Sequence, residues 1–299
     1  MKKSTMIFCI ALGLLLVITG LYVGVAERTR GMPDDDWDMG TTEFDLSTVS
    51  AIEIETQGID VCIYDGWNKT IEVDVPTSIS GIVQIRQQGD TLYVRQKDNS
   101  GFTTTLSSNP EIILWMPKGG QGTMSVLTQS GDIRVSGLRG NDIAVSLAAV
   151  SGEISIYGSR LGSLKASTTS GDLYLGEVEV YGRMDLDTSS GYLNCYDVET
   201  VDAGMETTSG DVYLSDYLGE TLSVKTTSGD VTLSDIGVPE LRAATTSGDI
   251  WLTLPGTEED YTVALSTVSG HMEGVRARTG GERKLDVSTV SGDVKVTFE

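Results

Sequence analysis

The chain has 299 residues with 39% hydrophobic and only 6% aromatic side chains, enough to bury a sizeable core built from small and branched groups. Its 43 acidic residues against 21 basic ones give a formal charge of −22, which excludes nucleic acid as a partner, because affinity for phosphate chains comes from Lys and Arg. Thirty-five glycines against six prolines exclude a disordered Pro/Gly tract and call for many tight turns between short regular elements.

In chain order, Lys2 and Lys3 lead into residues 6–25, MIFCIALGLLLVITGLYVGV, one uncharged apolar run long enough to cross a bilayer as a helix. The flanking lysines keep a cytoplasmic N-terminus of residues 1–5 and put the rest outside the membrane. Two readings of residues 6–26 stay open: a single-pass signal anchor, or a signal peptide cut after Ala26, where Gly24-Val25-Ala26 supplies small residues. No small-residue-Cys pattern ends the run, so a lipoprotein is not indicated, and Cys9 lies inside it. Residues 27–43 read as an acidic linker; Asp34, Asp35, Asp36 and Asp38 lack the alternating acceptors and glycine of a calcium loop.

Residues 44–117 read as a strand-rich part that caps one end of the region from 118 to 299. Strands are expected at 51–56, 59–64, 70–75, 82–87, 91–96 and 111–116, several with apolar and polar residues alternating, as in Ile52/Ile54 and Ile71/Val73/Val75. Asn68-Lys69-Thr70 is an acceptor sequon, of consequence only in a host that glycosylates exported proteins.

From 118 to 299 a repeat governs the chain. Ser-Gly recurs nine times, with glycines at Gly131, Gly152, Gly171, Gly191, Gly210, Gly229, Gly248, Gly270 and Gly292, spaced 21, 19, 20, 19, 19, 19, 22 and 22 residues apart. In LSVKTTSGDVTLSDI, residues 222–236, Leu222 and Val224 alternate with polar residues before the Ser-Gly, and Val231 and Leu233 do so after it. That is strand, corner, strand, with one side buried. Gly229 is expected to supply a backbone conformation that a Cβ would penalise. Nineteen residues are too few for a strand-helix-strand crossover and fit one coil of an all-β, single-stranded parallel β-helix, a solenoid read as right-handed with 19–22-residue coils. Each copy is expected to stack on the last, about 4.8 Å apart, in a rod on the order of 40 Å long. Its interior ladder is Ile133/Val135, Ile154/Ile156, Leu173/Leu175, Leu193/Cys195, Val212/Leu214, Val231/Leu233, Ile250/Leu252 and Val294/Val296. The last segment, SGDVKVTFE, shows no cap, and Lys295 and Glu299 are expected to blunt its edge against further pairing.

The pattern resembles the DUF4097 "putative adhesin" family and is similar to the related DUF2807-type group. An N-terminal anchor, a strand-rich opening, the segment Trp115-Met116-Pro117-Lys118-Gly119 and serial TxSGD units carry the resemblance over residues 44–299. It implies a membrane-anchored, non-enzymatic β-solenoid at the cell surface, a scaffold or binding module with no catalytic residues and no cofactor. It implies as the alternative an envelope-stress sensor or regulatory partner of a membrane signalling system.

Three arrays are candidate sites. The residue after the glycine is acidic in most copies; Asp172, Asp211, Asp230 and Asp249 could form a cation ladder, though a turn role is the simpler reading. Two residues further on, Tyr174, Tyr213 and Trp251 are expected to project outward every second coil, roughly 10 Å apart, as a stripe able to stack on sugar rings of a glycan or cell-envelope polymer. Thr168/Thr169, Thr207/Thr208, Thr226/Thr227 and Thr245/Thr246 are read as structural stacking inside and outside the coil. Catalysis has little to stand on: His271 is the only histidine, no GxSxG accompanies it, and Cys62 and Cys195 stand alone. A glycan-active β-helix enzyme is the remaining, weaker alternative, since acid pairs abound.

Overall fold

A computed structural model describes residues 28–29, 39–97 and 110–299. The membrane-spanning helix expected at 6–26 and the acids at 34–38 lie outside them, and among the described residues no helix is long and apolar enough to cross a membrane. The described chain forms 24 strands hydrogen-bonded into one continuous sheet, with two single-turn 3-10 helices, a solenoid of about nine turns. Each repeat supplies one strand before its Ser-Gly corner and one after, such as Thr221–Lys225 and Val231–Gly237. Two parallel sheet faces result, and the alternation in every copy aims one side of each strand into the space between them.

Register is kept residue by residue. Val212 neighbours Val231, which neighbours Ile250; on the other face Leu222 neighbours Leu241. Every member of the expected interior ladder is buried, and one continuous core runs from Phe44 to Val296. One coil cannot bury its own apolar side, so the stability of each layer comes from its neighbours.

The coils do not all stack in chain order. Ile250–Leu254 pairs with Val294–Phe298, and only then does Met272–Glu273 follow. On the other face Glu240–Ala244 pairs with Arg283–Ser288, which pairs in turn with Tyr261–Ser266. The last coil of the chain is therefore the penultimate layer of the rod. The segment before it passes outside and caps the end, where Val263 bridges Arg278. SGDVKVTFE is thus an inner strand rather than an open edge. Lys295 lies between Trp251 and Glu273, with its ammonium 3.4 Å from the Glu273 carboxylate, and Glu299 bonds through its backbone to Leu254 and Gly256.

The same arrangement recurs at the other end. Ala51–Thr56 lies between Thr91–Gln96 and Gln121–Thr128, while Asp60–Gly66 lies between Glu111–Pro117 and Ile133–Ser136. The first coil is again one layer in, with Thr91–Gln96 and Glu111–Pro117 outside it. Antiparallel strands Thr70–Pro76, Met39–Asp45 and Val83–Gln88 then extend the two faces and cap this end. Residues 39–43, expected in the linker, belong to this cap. Met39–Asp45 has no strict apolar alternation to announce it, and pairs along its whole length with Thr70–Pro76.

Candidate functional site

The Ser-Gly corner is built from three columns that run along the rod. The first is glycine. A Cβ on Gly152, Gly171, Gly191, Gly210, Gly229 or Gly248 would lie 1.8–2.0 Å from the carbonyl oxygen of the glycine one layer before, and on Gly131 2.3 Å from that of Ile59. The column continues from Gly248 to Gly292 and then to Gly270, in the layer order rather than the chain order. Close backbone approach, and not an unusual φ at Gly229, excludes a side chain here. Left-handed backbone occurs instead six residues on, at Gly137, Gly158, Glu177, Asp197, Asp216 and Asp235, with φ between 52° and 70°. Short acidic side chains tolerate that conformation better than most.

The second column is threonine. Thr168, Thr188, Thr207, Thr226, Thr245 and Thr289 donate their hydroxyls to the glycine carbonyl of the layer before, at 3.1–3.4 Å. Thr128, Thr168 and Thr188 also accept from the glycine N–H of their own corner. A buried hydroxyl with these partners fills the corner without leaving a polar atom unpaired. Thr169, Thr208, Thr227 and Thr246 point to solvent.

The third column is the acid after the glycine. Asp132 accepts from Glu153 N–H at 3.0 Å, Asp172 from Tyr192 N–H at 2.8 Å, Asp211 from Asp230 and Asp230 from Asp249, both at 2.8 Å. Asp249 accepts from Asp293 and Asp293 from His271, both at 2.7 Å. Each carboxylate therefore clips the next layer, so the accepted N–H is not local to its own turn. Tyr192 stands between Asp172 and Asp211, so the four acids singled out as a cation ladder are not contiguous. Among the described residues no group of three or more His, Cys, Asp and Glu side chains is arranged to hold a metal ion.

Outward from this corner the register aligns Tyr174, Asn194, Tyr213, Thr232, Trp251 and Lys295 in one column. Tyr174 and Tyr213 each donate a hydroxyl to the acid two residues earlier, Asp172 at 3.3 Å and Asp211 at 3.4 Å. The sequence reading missed three further tyrosines on this face. Tyr157, Gly176 and Tyr196 are register neighbours in the next outward column, and the Tyr196 ring lies across Gly176, where a Cβ would meet it at 2.4 Å. Tyr192 occupies the acid column. Tyr157, Tyr174, Tyr192, Tyr196 and Tyr213 thus cover four successive layers of one face, while Trp251 lies two layers beyond Tyr213. Their common offsets from the Ser-Gly would have revealed the second column: Tyr157 and Tyr196 both fall five residues after the glycine.

The remaining sequence candidates are dispersed. His271 is exposed at the C-terminal cap, far along the rod from Cys62. Cys62 is buried beside Glu111, its Sγ 3.3 Å from the carboxylate, and burial followed by that charge pushes its thiol up to about 11. Cys195 is enclosed in the core, where desolvation pushes it from 9.0 up to about 12. Burial raises the Tyr217 hydroxyl too. The folded protein thus keeps protons that the unfolded chain releases. The associated stability is complete below pH 9 and is lost as pH rises toward 12, by up to about 4 kcal/mol for the thiol. Urea midpoints measured from pH 8 to 11 are expected to fall above pH 9, and to fall less in Cys195→Ala. Parallel curves would remove the thiol from this account.

Among curated proteins none matches the chain. Several solved structures are similar to it at low identity. One is a "putative lipid binding protein" from Parabacteroides distasonis ATCC 8503, 14% identical, with a TM-score of 0.53 over 86% of this chain and 96% of that one. A "putative adhesin" from Parabacteroides merdae ATCC 43184 is 14% identical, with a TM-score of 0.49 over 86% and 95% of the two chains. Another "putative adhesin", from Parabacteroides distasonis ATCC 8503, is 16% identical, with a TM-score of 0.48 over 87% and 98%. The model of the family described as Toastrack DUF4097 matches residues 49–297, the span that holds both end swaps and every glycine of the corner column, and the chain belongs to that family.

Proposed function

We propose that this protein is a non-enzymatic binding module, held at the membrane by residues 6–26 with its solenoid outside, and that the tyrosine face binds a glycan of the cell envelope or of a neighbouring cell. The observation that carries this reading is the run of five tyrosines over four consecutive layers, with rings 40–50% exposed at Tyr157, Tyr192, Tyr196 and Tyr213. Rings at layer spacing offer flat apolar faces with polar rims, and sugar rings have the same character. Asp172 and Asp211 hold two of the rings in place and leave acceptors beside them for sugar hydroxyls. The glycines, threonines and most acids of the repeat corners are committed to holding layers together.

Binding of the full chain in lipid nanodiscs to cell-wall polymers and a glycan panel tests the proposal. Tyr174→Ala/Tyr196→Ala/Tyr213→Ala should weaken binding roughly a hundredfold, at about 1 kcal/mol per ring, with an unchanged circular dichroism spectrum. Full binding by that variant removes the glycan face. A membrane kinase or regulator that co-purifies, with no glycan bound, favours a role as a signalling partner.

A further inference from the structure

Near the N-terminal end four turns meet on one flank of the rod. Residues 45–50, 66–69, Asp90, 117–119 and 121–122 line an open cleft of about 950 Å³, within the size range of small-ligand sites. Its floor is fixed by backbone. Ser50 N–H donates to the Asp90 carbonyl at 2.8 Å, and Thr123 N–H to the Ser50 carbonyl at 3.0 Å. Gly122, at φ +98°, approaches Ser50 so closely that a Cβ would lie 1.9 Å from its carbonyl oxygen. Such a floor stands formed before any ligand arrives.

Trp67 lines this cleft with 94% of its surface exposed, the most exposed large apolar side chain among the described residues. An indole left in water loses the free energy that burial would give, and here it contributes nothing to the core. Around it stand donors and acceptors in balance, the Lys69 and Lys118 ammonium groups and the Asp45 and Asp90 carboxylates. Asp45 accepts from the Ser47 N–H at 2.9 Å and hydroxyl at 2.8 Å, both on Oδ1, so Oδ2 remains an acceptor. Asp90 accepts from the Ser50 hydroxyl at 2.6 Å. These bonds, the Ser47 backbone N–H first for Asp45 and the Ser50 hydroxyl first for Asp90, hold both carboxyls below their ordinary range and therefore ionised.

The chemistry of the lining selects a ligand class. An apolar ligand would strip water from these charged groups and offer them nothing in return; Lys118 would keep only Asp65, 3.7 Å away and outside the cleft, and the two carboxylates only their serines. An acidic one would meet Asp45 and Asp90. A neutral sugar has a C–H face for the indole and hydroxyls that both donate and accept. We propose that this cleft binds a neutral hexose unit of a glycan, its ring stacked on Trp67 and its hydroxyls bridging Asp45 to Lys69 and Lys118. The site shares no residue with the tyrosine face, so either proposal can fail alone.

Calorimetric titration of the full chain in lipid nanodiscs tests it, with neutral gluco-, galacto- and manno-oligosaccharides beside an oligogalacturonate. At least one neutral oligosaccharide is expected to bind. Trp67→Ala should weaken it by about tenfold or more, and Trp67→Phe by less, because a smaller ring still stacks. Repeating the titration in Tyr174→Ala/Tyr196→Ala/Tyr213→Ala separates the two faces: binding that survives there and falls with Trp67→Ala belongs to the cleft, and binding lost with the tyrosines alone does not. The assignment is overturned if no neutral oligosaccharide binds, if Trp67→Ala binds as the wild type does, or if the oligogalacturonate binds as tightly as the neutral sugars.

Discussion

Gly210→Ala is expected to destabilise the protein by about 4 kcal/mol or more, an effect at the upper end for a single methyl group. The added Cβ would lie 1.8 Å from the Gly191 carbonyl oxygen and 2.7 Å from its carbon. Neither partner can retreat. The Gly191 carbonyl also accepts the Thr207 hydroxyl, and strands on both sides of each corner are held in register by the layers above and below. Relief would require two layers to separate locally, breaking the corner hydrogen bonds that join them. For a body of this size the loss corresponds to a fall in Tm of roughly 10 °C. Gly81→Ala is the matched control. Nothing lies within 4 Å of a Cβ there, so its effect should stay within about 0.5 kcal/mol. Equal melting of the two variants would show that the corner yields more readily than its geometry implies.

Deletion of residues 283–299 is expected to remove two layers, although it takes away the residues of only one. Arg283–Ser288 and Val294–Phe298 are the inner neighbours of Tyr261–Ser266 and Met272–Glu273. Without them the capping segment has no sheet to pair with, and Glu240–Ala244 and Ile250–Leu254 become a bare edge, prone to pair with other chains. A solenoid stacked in chain order would lose one layer and keep the rest. The truncated protein should therefore aggregate, or show protection from hydrogen exchange lost from residue 261 onward. The layer order has its own check. Trp251 and Lys295 are register neighbours, whereas Trp251 and Glu273 are two layers apart. Adjacent strands lie about 4.8 Å apart, within the Cα separation that a disulfide spans, and two layers exceed it. Mild oxidation should cross-link Trp251→Cys/Lys295→Cys and not Trp251→Cys/Glu273→Cys. The reverse result would restore a simple stack.

Much of the corner chemistry was legible in the one-dimensional pattern, with its reason displaced. The nine glycines stand where a side chain is forbidden, but the obstacle is the carbonyl of another layer, 16 or more residues away through the Thr column as well. The acids do accept backbone N–H groups at the corner, yet from the following layer instead of their own turn. A single repeat shows neither partner, because both belong to the stack. The stripe of Tyr174, Tyr213 and Trp251 was found from one offset within the repeat. Tyr157, Tyr192 and Tyr196 occupy other offsets and join the first two only when layers are placed side by side. The Trp67 cleft left no mark at all. Its lining comes from four turns spread over residues 45–122, and the motifs that fall in them, the Asn68-Lys69-Thr70 sequon and the Trp115–Gly119 segment, point to other things than a cleft.

By itself the sequence determined that the body is all-β, that each repeat is strand, corner and strand, and which side chains face inward, since period-two alternation and a recurrent Ser-Gly are local properties. Only the tertiary structure decided the order of the layers, with the first coil and the last each drawn one place in from the ends. The physical reason is that every coil presents nearly the same hydrogen-bonding edge. Pairing energy hardly distinguishes one neighbour from another, and the choice falls to connections, such as the 22-residue spacings at the last two copies, that are long enough to step over a layer and return.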